Sequence, residues 1–371
     1  MMPFKLFTRA LLQGRRQDPL YVVFFVTEQC TAHCAHCLLG QWDCADSGLA
    51  LDDIERWARS MPDFYFLLPT GGEPFLRPDL PEIVTLFARH CNVRHAGIPT
   101  NGSLTHAVVV AVERILENNP QLQLAVDVSL DGPEAAHDRI RNTHGLFRKA
   151  QATYAALDAL AGRHHNFQVN AAVTISAQNQ ATALDFIDYL VNDLGVKNIN
   201  HLLVRGDPRD PDVKRVNLEN YKAFNRKLSE AMGEGRLCGY HGFEEAAGVN
   251  AVKLVRQDVI ARTVETGRRQ VRCRAGRLGA VVRANGDVYP CELRHDKIGS
   301  LRDTGFNFPK LWHSPRAREI VRAIEKEKCH CTYECFMTLN VLFDPVQTLR
   351  VARQWARQRA RSPGSRPSEN S

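Results

Sequence analysis

No apolar run in this chain approaches the roughly 18 residues that a membrane-spanning helix requires; the longest candidates are Tyr21 to Val26 and Ala107 to Val112. Residues 1–16 also lack the unbroken apolar stretch of a secretory signal, because Lys5, Arg9, Arg15 and Arg16 interrupt it, so a cytoplasmic protein is expected. Most of the chain has little net charge. Of the formal +7, five units lie in residues 349–371, where six arginines face one acid, Glu369. The nearly neutral body gives no nucleic-acid surface, and nucleic acid is not an expected partner. A composition of 44% hydrophobic and 24% charged residues excludes collagen-like, coiled-coil and wholly disordered classes. At 371 residues, the chain suits one large α/β unit or a core with an appended module.

Eleven cysteines, an odd number in a chain without a secretory signal, argue against a disulfide framework and for reduced thiols used as ligands. They fall as Cys30, Cys34 and Cys37, then Cys44, Cys91 and Cys238 singly, then Cys273 and Cys291, then Cys329, Cys331 and Cys335. The three single ones read as small buried apolar residues.

Between Tyr21 and about residue 235 a β-rich run followed by a helical stretch recurs six times. The β runs are Tyr21 to Val26, Phe64 to Leu68, Arg94 to Ile98, Leu122 to Val128, Phe167 to Ile175 and Asn198 to Val204. Six consecutive βα units require right-handed crossovers and a parallel sheet. The fold class expected is α/β: a partial (β/α)6 TIM-like barrel followed by a small cysteine-rich β-hairpin module, with a doubly wound flat sheet as the runner-up. The hairpin signal is Asn285-Gly286 between Val281-Val282 and Val288-Tyr289. The organisation expected is an N-terminal segment (1–19), the barrel (20–235), the module (236–345) and a basic, partly disordered tail (346–371). Residues 339–360 are expected to add one helix.

Cys30-Thr31-Ala32-His33-Cys34-Ala35-His36-Cys37 directly follows the first β run. Three thiolates on one loop can reach three irons of one cubane and leave the fourth iron open, as a catalytic centre needs. Structural zinc is the alternative, with His33, His36 or Cys44 as fourth ligand. Thr70-Gly71-Gly72-Glu73-Pro74, Pro99-Thr100-Asn101-Gly102 and Ser129-Leu130-Asp131-Gly132-Pro133 follow the next three β runs. Together they put polar, glycine-rich loops at the C-terminal ends of four successive strands, the face on which barrel active sites are built.

The CxxxCxxC of Cys30, Cys34 and Cys37, with Gly71-Gly72-Glu73-Pro74 on the next loop, resembles the radical S-adenosylmethionine (radical SAM) superfamily over roughly residues 20–235. The resemblance implies that the three cysteines bind a [4Fe-4S] cluster whose open iron is chelated by SAM. It implies that His36 packs near the adenine and that Gly71, Gly72 and Glu73 hold the methionyl ammonium. Ser129 and Asp131 match the family's polar fourth-strand end, and Asn101 and Arg205 are further candidates for the same cofactor. The chemistry implied is reductive cleavage of SAM to methionine and a 5′-deoxyadenosyl radical that abstracts hydrogen from a substrate, fed by an electron donor such as flavodoxin or ferredoxin. No dedicated side-chain acid or base is implied.

Cys273-Arg274-Ala275-Gly276, the Asn285-Gly286 hairpin, Tyr289-Pro290-Cys291 and the cluster Cys329, Cys331 and Cys335 resemble the SPASM/twitch extension that follows many radical SAM barrels. One auxiliary [4Fe-4S] cluster is implied, with one of the last three cysteines spare; a zinc knuckle shares the spacing style. The substrate expected is a small organic molecule or a peptide, modified oxidatively. The stretch ahead of Tyr21 is too short for the usual ~80-residue peptide-recognition domain, which tilts the expectation toward a small molecule or a peptide delivered by a partner. The Arg-rich tail with Trp355 reads as a solvated tail that can touch anionic lipid or a partner protein. The competing class is a non-catalytic zinc protein with a nucleic-acid-binding tail.

Overall fold

The structure is a computed structural model describing residues 18–38 and 48–361. Cys44 and the expected disorder of residues 362–371 lie outside the described residues. Six βα units run as β1 (Tyr21–Thr27), α1 (Leu51–Ser60), β2 (Phe66–Gly71), α2 (Leu80–His90), β3 (His95–Thr100), α3 (Thr105–Asn118), β4 (Gln123–Ser129), α4 (Glu134–Arg141), α5 (Leu146–Ala161), β5 (Phe167–Ile175), α6 (Ala183–Asn192), β6 (Ile199–Leu203) and α7 (Leu218–Gly233). The strands pair in sequential order, all parallel. A doubly wound sheet reverses its strand order partway across, and this one does not, so the curled barrel is the architecture present.

Period-2 patterning explains how the strands serve two surfaces. In β4, Val126 and Val128 are buried away from the lumen, while Ala125, Asp127 and Ser129 line it. The helices meet the outer layer through one apolar face each: Trp57 of α1 stands edge-on to Phe24 and Phe87 at ring centroids 4.9 and 4.8 Å away.

The C-terminal part runs as α8 (Ala246–Thr266), β7 (Gly279–Val282), β8 (Asp287–Tyr289), β9 (Gly299–Ser300), α9 (Phe308–Trp312), α10 (Pro315–Lys326), α11 (Glu334–Leu342) and α12 (Pro345–Arg361). The hairpin β7–β8 forms around Asn285-Gly286, with Gly286 at φ +92°. It is not a separate appendage: β7 pairs in parallel with β1, so the barrel sheet continues into the module as β6-β5-β4-β3-β2-β1-β7-β8-β9.

α11 stands where β6 and β1 leave the barrel open. Its Glu334 Oε1 accepts from Leu203 N–H of β6 (2.7 Å), and its Phe336 meets Tyr21 of β1, ring centroids 6.1 Å apart. The single helix expected over 339–360 is two, divided at Phe343-Asp344 because Pro345 cannot continue α11 and instead starts α12. α12 also corrects the expectation of a solvated tail. It packs along α8, Arg350 pairs with Asp258, and Thr348, Val351, Ala352 and Trp355 line the lumen. Among the single cysteines, Cys91 is buried and its thiol donates to Ala58 O (3.3 Å), whereas Cys238 is exposed, contrary to expectation.

Candidate active site

The loop after β1 is fixed by backbone on both sides. His33 and Ala35 N–H donate to Arg141 O and Ile140 O at the end of α4 (3.3 and 2.9 Å), and Cys37 N–H donates to Cys34 O (3.2 Å). Against it lies the turn after β2, where Gly72 and Glu73 N–H reach Thr27 O (3.0 Å) and Gln29 O (2.8 Å). Only glycine fits there: a Cβ on Gly71 would stand 1.9 Å from Thr27 O, and one on Gly72 2.0 Å from Gln29 O.

Cys30, Cys34 and Cys37 all line the lumen; Cys34 feels both other thiols, and Cys30 feels Cys37. Burial pushes the Cys34 thiol up to about 11 and the Cys30 thiol upward; the Arg141 guanidinium opposes both. Arg141 Nη1 lies 3.9 Å from Cys34 Sγ, and its Nε donates to Asp131 Oδ2 (2.8 Å). Sequence reading missed Arg141, since a ten-residue separation from Asp131 across a turn and a helix carries no periodic signal.

The site residues expected from sequence divide into two groups. Gly71, Gly72, His36, Asn101, Ser129 and Arg205 line the lumen with the thiols. Glu73 and Asp131 are buried behind the surface they support. Glu73 accepts from Asn101 N–H (2.8 Å), Thr100 Oγ1 (2.9 Å) and Phe75 N–H (3.3 Å); burial pushes its carboxyl up to about 7 against these bonds. Asp131 accepts from Thr174 N–H (2.7 Å) as well as Arg141. Burial would raise its carboxyl, but the Arg141 guanidinium above all, with His36 and His137 when they protonate in acid, holds it below the usual carboxylate range. His36 Nε2 lies 3.9 Å from Asp131, while its buried Nδ1 has no partner among the described residues. Burial lowers this imidazole to about 4, leaving it neutral at pH 7. Asn101 Nδ2 donates to Thr31 Oγ1 (2.9 Å) and lies 3.7 Å from Cys30 Sγ.

Arg205, past the end of β6, is committed to the module. It pairs with Glu334 (3.2 Å) and Glu292 (3.3 Å) and lies 4.8 Å over the Tyr333 ring. The module's thiols split four and one. Cys273 and Cys329 share a hydrogen bond; Cys331 acts electrostatically on Cys273, and both Cys331 and Cys329 act on Cys291. Cys329 is the thiol of this pair held low, through its bond with Cys273 and with Arg294 assisting against burial. Cys335 instead faces the lumen, bonded to Tyr21 and felt mainly by Glu292 and Arg205. Soft thiol donors, three on one loop and more around the hairpin, are of the type iron–sulfur clusters take, while among the described residues no three His, Cys, Asp or Glu stand placed to hold a single metal ion.

The lumen is one cavity of about 1500 Å³ running between the strand ends. An open barrel with a thiol trio after β1 and a thiol-rich hairpin module is the architecture of radical SAM enzymes with an iron–sulfur extension. The profile of the Radical SAM superfamily matches residues 24–190, and that of the SPASM iron-sulfur cluster-binding domain matches residues 273–336. The chain therefore carries a radical SAM domain followed by a SPASM domain. Its first domain is of the kind that uses a [4Fe-4S] cluster and SAM, its second of the kind that holds auxiliary iron–sulfur clusters, which sets aside the zinc readings.

Among relatives, the chain is 23% identical to the AdoMet-dependent heme synthase of Methanosarcina barkeri (strain Fusaro / DSM 804), covering 84% of this chain and 87% of the relative. It is 26% identical to the mycofactocin maturase MftC of Mycobacterium tuberculosis (strain ATCC 25618 / H37Rv), covering 79% and 70%. The fold matches Streptococcus suis SuiB bound to S-adenosylmethionine with a TM-score of 0.58 at 13% identity, covering 85% of this chain and 71% of that one. It matches anSMEcpe with bound AdoMet and Kp18Cys peptide with a TM-score of 0.59 at 15% identity, covering 92% and 96%. Among the described residues no helix is long and apolar enough to cross a membrane.

Proposed function

We propose that this enzyme reductively cleaves SAM and abstracts hydrogen from a small organic or peptide substrate held in the lumen, leading to an oxidative modification. The observation that carries this reading is the single cavity: the Cys30, Cys34 and Cys37 loop bounds it, and Glu292 and Cys335, next to the module's thiol group, form part of its wall. When bound, the cluster–SAM pair supplies a strongly oxidising carbon radical. The chain's residues orient and enclose. Cys30, Cys34 and Cys37 hold the cluster; Gly71 and Gly72 offer backbone at close approach; Asn101, Ser129 and His36 line the adjoining surface. Glu73 and Asp131 act from behind, the first tying the β2 and β3 loops together and the second aiming Arg141 at the thiols.

In the module, the grouping of Cys273, Cys291, Cys329 and Cys331 supports one auxiliary [4Fe-4S] cluster with Cys335 as the spare thiol. A cluster held there would supply an electron acceptor beside the lumen wall, which supports an oxidative outcome. One structural neighbour named above holds a bound peptide, which favours a peptide as one admissible substrate; the heme synthase favours a small molecule as the other. An electron donor of the flavodoxin or ferredoxin kind completes the reading.

The test is replacement of Cys30, Cys34 and Cys37 together by Ala. 5′-Deoxyadenosine formation under dithionite should be abolished while iron remains at the module; retained SAM cleavage would overturn the assignment. Product two electrons more oxidised than substrate, with one deoxyadenosine per turnover, supports the oxidative part, and a redox-neutral rearrangement refutes it.

A further inference from the structure

The half of the lumen remote from the three-thiol loop is not apolar. α8 sends Lys253 and Arg256, one turn apart, into the cavity wall. Lys253 is buried, and its Nζ donates to Asn198 Oδ1 (2.9 Å) and Ile199 O (2.5 Å) at the start of β6, which leaves a third N–H. Arg256 donates from Nη1 to Thr338 Oγ1 (3.0 Å), while its buried Nε has no partner. Neither cation has a carboxylate within ion-pair distance among the described residues.

The two acids that interact electrostatically with these cations are engaged elsewhere. Asp127 accepts from Asn170 (2.9 Å) and Asn200 (2.8 Å), and Glu334, which feels Arg256, is bonded to Leu203 N–H and Arg205. Burial, with Arg256 beside it, lowers the Lys253 ammonium to about 7, and an anion that joins the pair restores its charge and offsets the cost of burying it. Tyr240, whose hydroxyl accepts from Asn200 Nδ2 (2.9 Å), adds a polar edge to the same wall. Around these groups the wall is aromatic and aliphatic, with Tyr65, Phe66, Phe167 and Leu339. Cations set in an apolar wall select a molecule that is apolar along its length and anionic at its end.

Resting on the substrate reading above, we propose that Lys253 and Arg256 form a carboxylate-binding subsite. It anchors an elongated carboxylate-bearing substrate, either an organic acid or the free C-terminus of a peptide, with its reacting part directed toward the Cys30, Cys34 and Cys37 loop. Lys253 contacts the first residue of β6, and the thiol loop follows the last residue of β1. At ~3.3 Å per strand residue the two ends of the lumen lie roughly 15 to 20 Å apart, so the anchored carboxylate and the reacting carbon are many bonds removed from one another. Arg256 supplies direction through its guanidinium fork, and Lys253 supplies charge.

The experiment uses anaerobically reconstituted full-length protein without turnover. Two fluorescent probe pairs are titrated: 11-(dansylamino)undecanoate against its primary amide, and a dansyl-labelled Leu/Ala tetrapeptide with a free against an amidated C-terminus. The expected result is at least tenfold tighter binding of the acid than of the amide in one pair. That preference should be lost in Lys253→Met and Arg256→Gln and retained in Lys253→Arg and Arg256→Lys. The pair that shows the preference tells whether an organic acid or a peptide end is taken. Equal binding of acid and amide in both pairs, no binding of either acid, or a preference unchanged in both charge-removing variants overturns the proposal. The wild-type comparison decides even if a variant fails to fold. Because binding is read without deoxyadenosine formation, failure here leaves SAM cleavage standing, and retained SAM cleavage in the triple-alanine variant, which overturns the cluster assignment, leaves this result interpretable.

Discussion

Single side chains in this site earn their effects from burial and from what they touch. Glu73 is a carboxyl whose native form is protonated until about pH 7, because burial outweighs the three donors around it. In the unfolded chain it ionises near the ordinary carboxylate range. The native state therefore binds the extra proton between those values, and the stability from Glu73 is full in acid and lost as pH rises through about 7. The melting temperature should fall over that interval, and the slope should flatten in Glu73→Gln; an unchanged slope would contradict this account. At the module, Cys335→Ser should leave the iron count at about eight per chain, whereas Ala at Cys273, Cys291, Cys329 or Cys331 should lower it toward four. Iron analysis of the five variants decides between four module ligands and five.

Elements matter here by the gaps they fill. α11 closes the open side of the barrel only because β7 carries Gly279 beneath it: a Cβ there would stand 2.6 Å from the Phe336 ring. Gly279→Ala should force that ring and α11 outward and destabilise the protein by about 1–3 kcal/mol, the usual range for overpacking, visible in thermal unfolding. α12 is the second case. Truncation before Pro345 removes Thr348, Val351, Ala352 and Trp355 from the lumen wall and uncovers α8. Hydrogen exchange of α8 should rise markedly in the truncated protein; unchanged protection would restore the picture of a detached tail.

Across the whole molecule, what could be read from sequence was what depends on local periodicity and spacing. The six β runs, the Asn285-Gly286 turn and the lumen-facing Cys30, Cys34, Cys37, Gly71 and Gly72 announce themselves within a few residues. The parallel pairing of β7 with β1 does not, since no short window contains both strands. Neither do Lys253 and Arg256. A basic residue turned inward on α8 looks, letter by letter, like one turned toward solvent, and α8 is buried on several sides, which blurs the apolar stripe that would have told them apart. Glu73 and Asp131 show a subtler limit: the motif does not tell a side chain facing the cavity from one buried behind its wall.

The union of β1 with β7 also sets a timetable for biosynthesis. β1 lies mid-sheet in the finished protein, yet its partner on that side begins at Gly279. At ~5–20 residues per second the ribosome needs roughly 13 to 50 seconds to deliver the partner, and meanwhile the nascent chain carries an unpaired apolar strand edge. Release at residue 270 should therefore give a product that aggregates during expression, even though every βα unit is present in it.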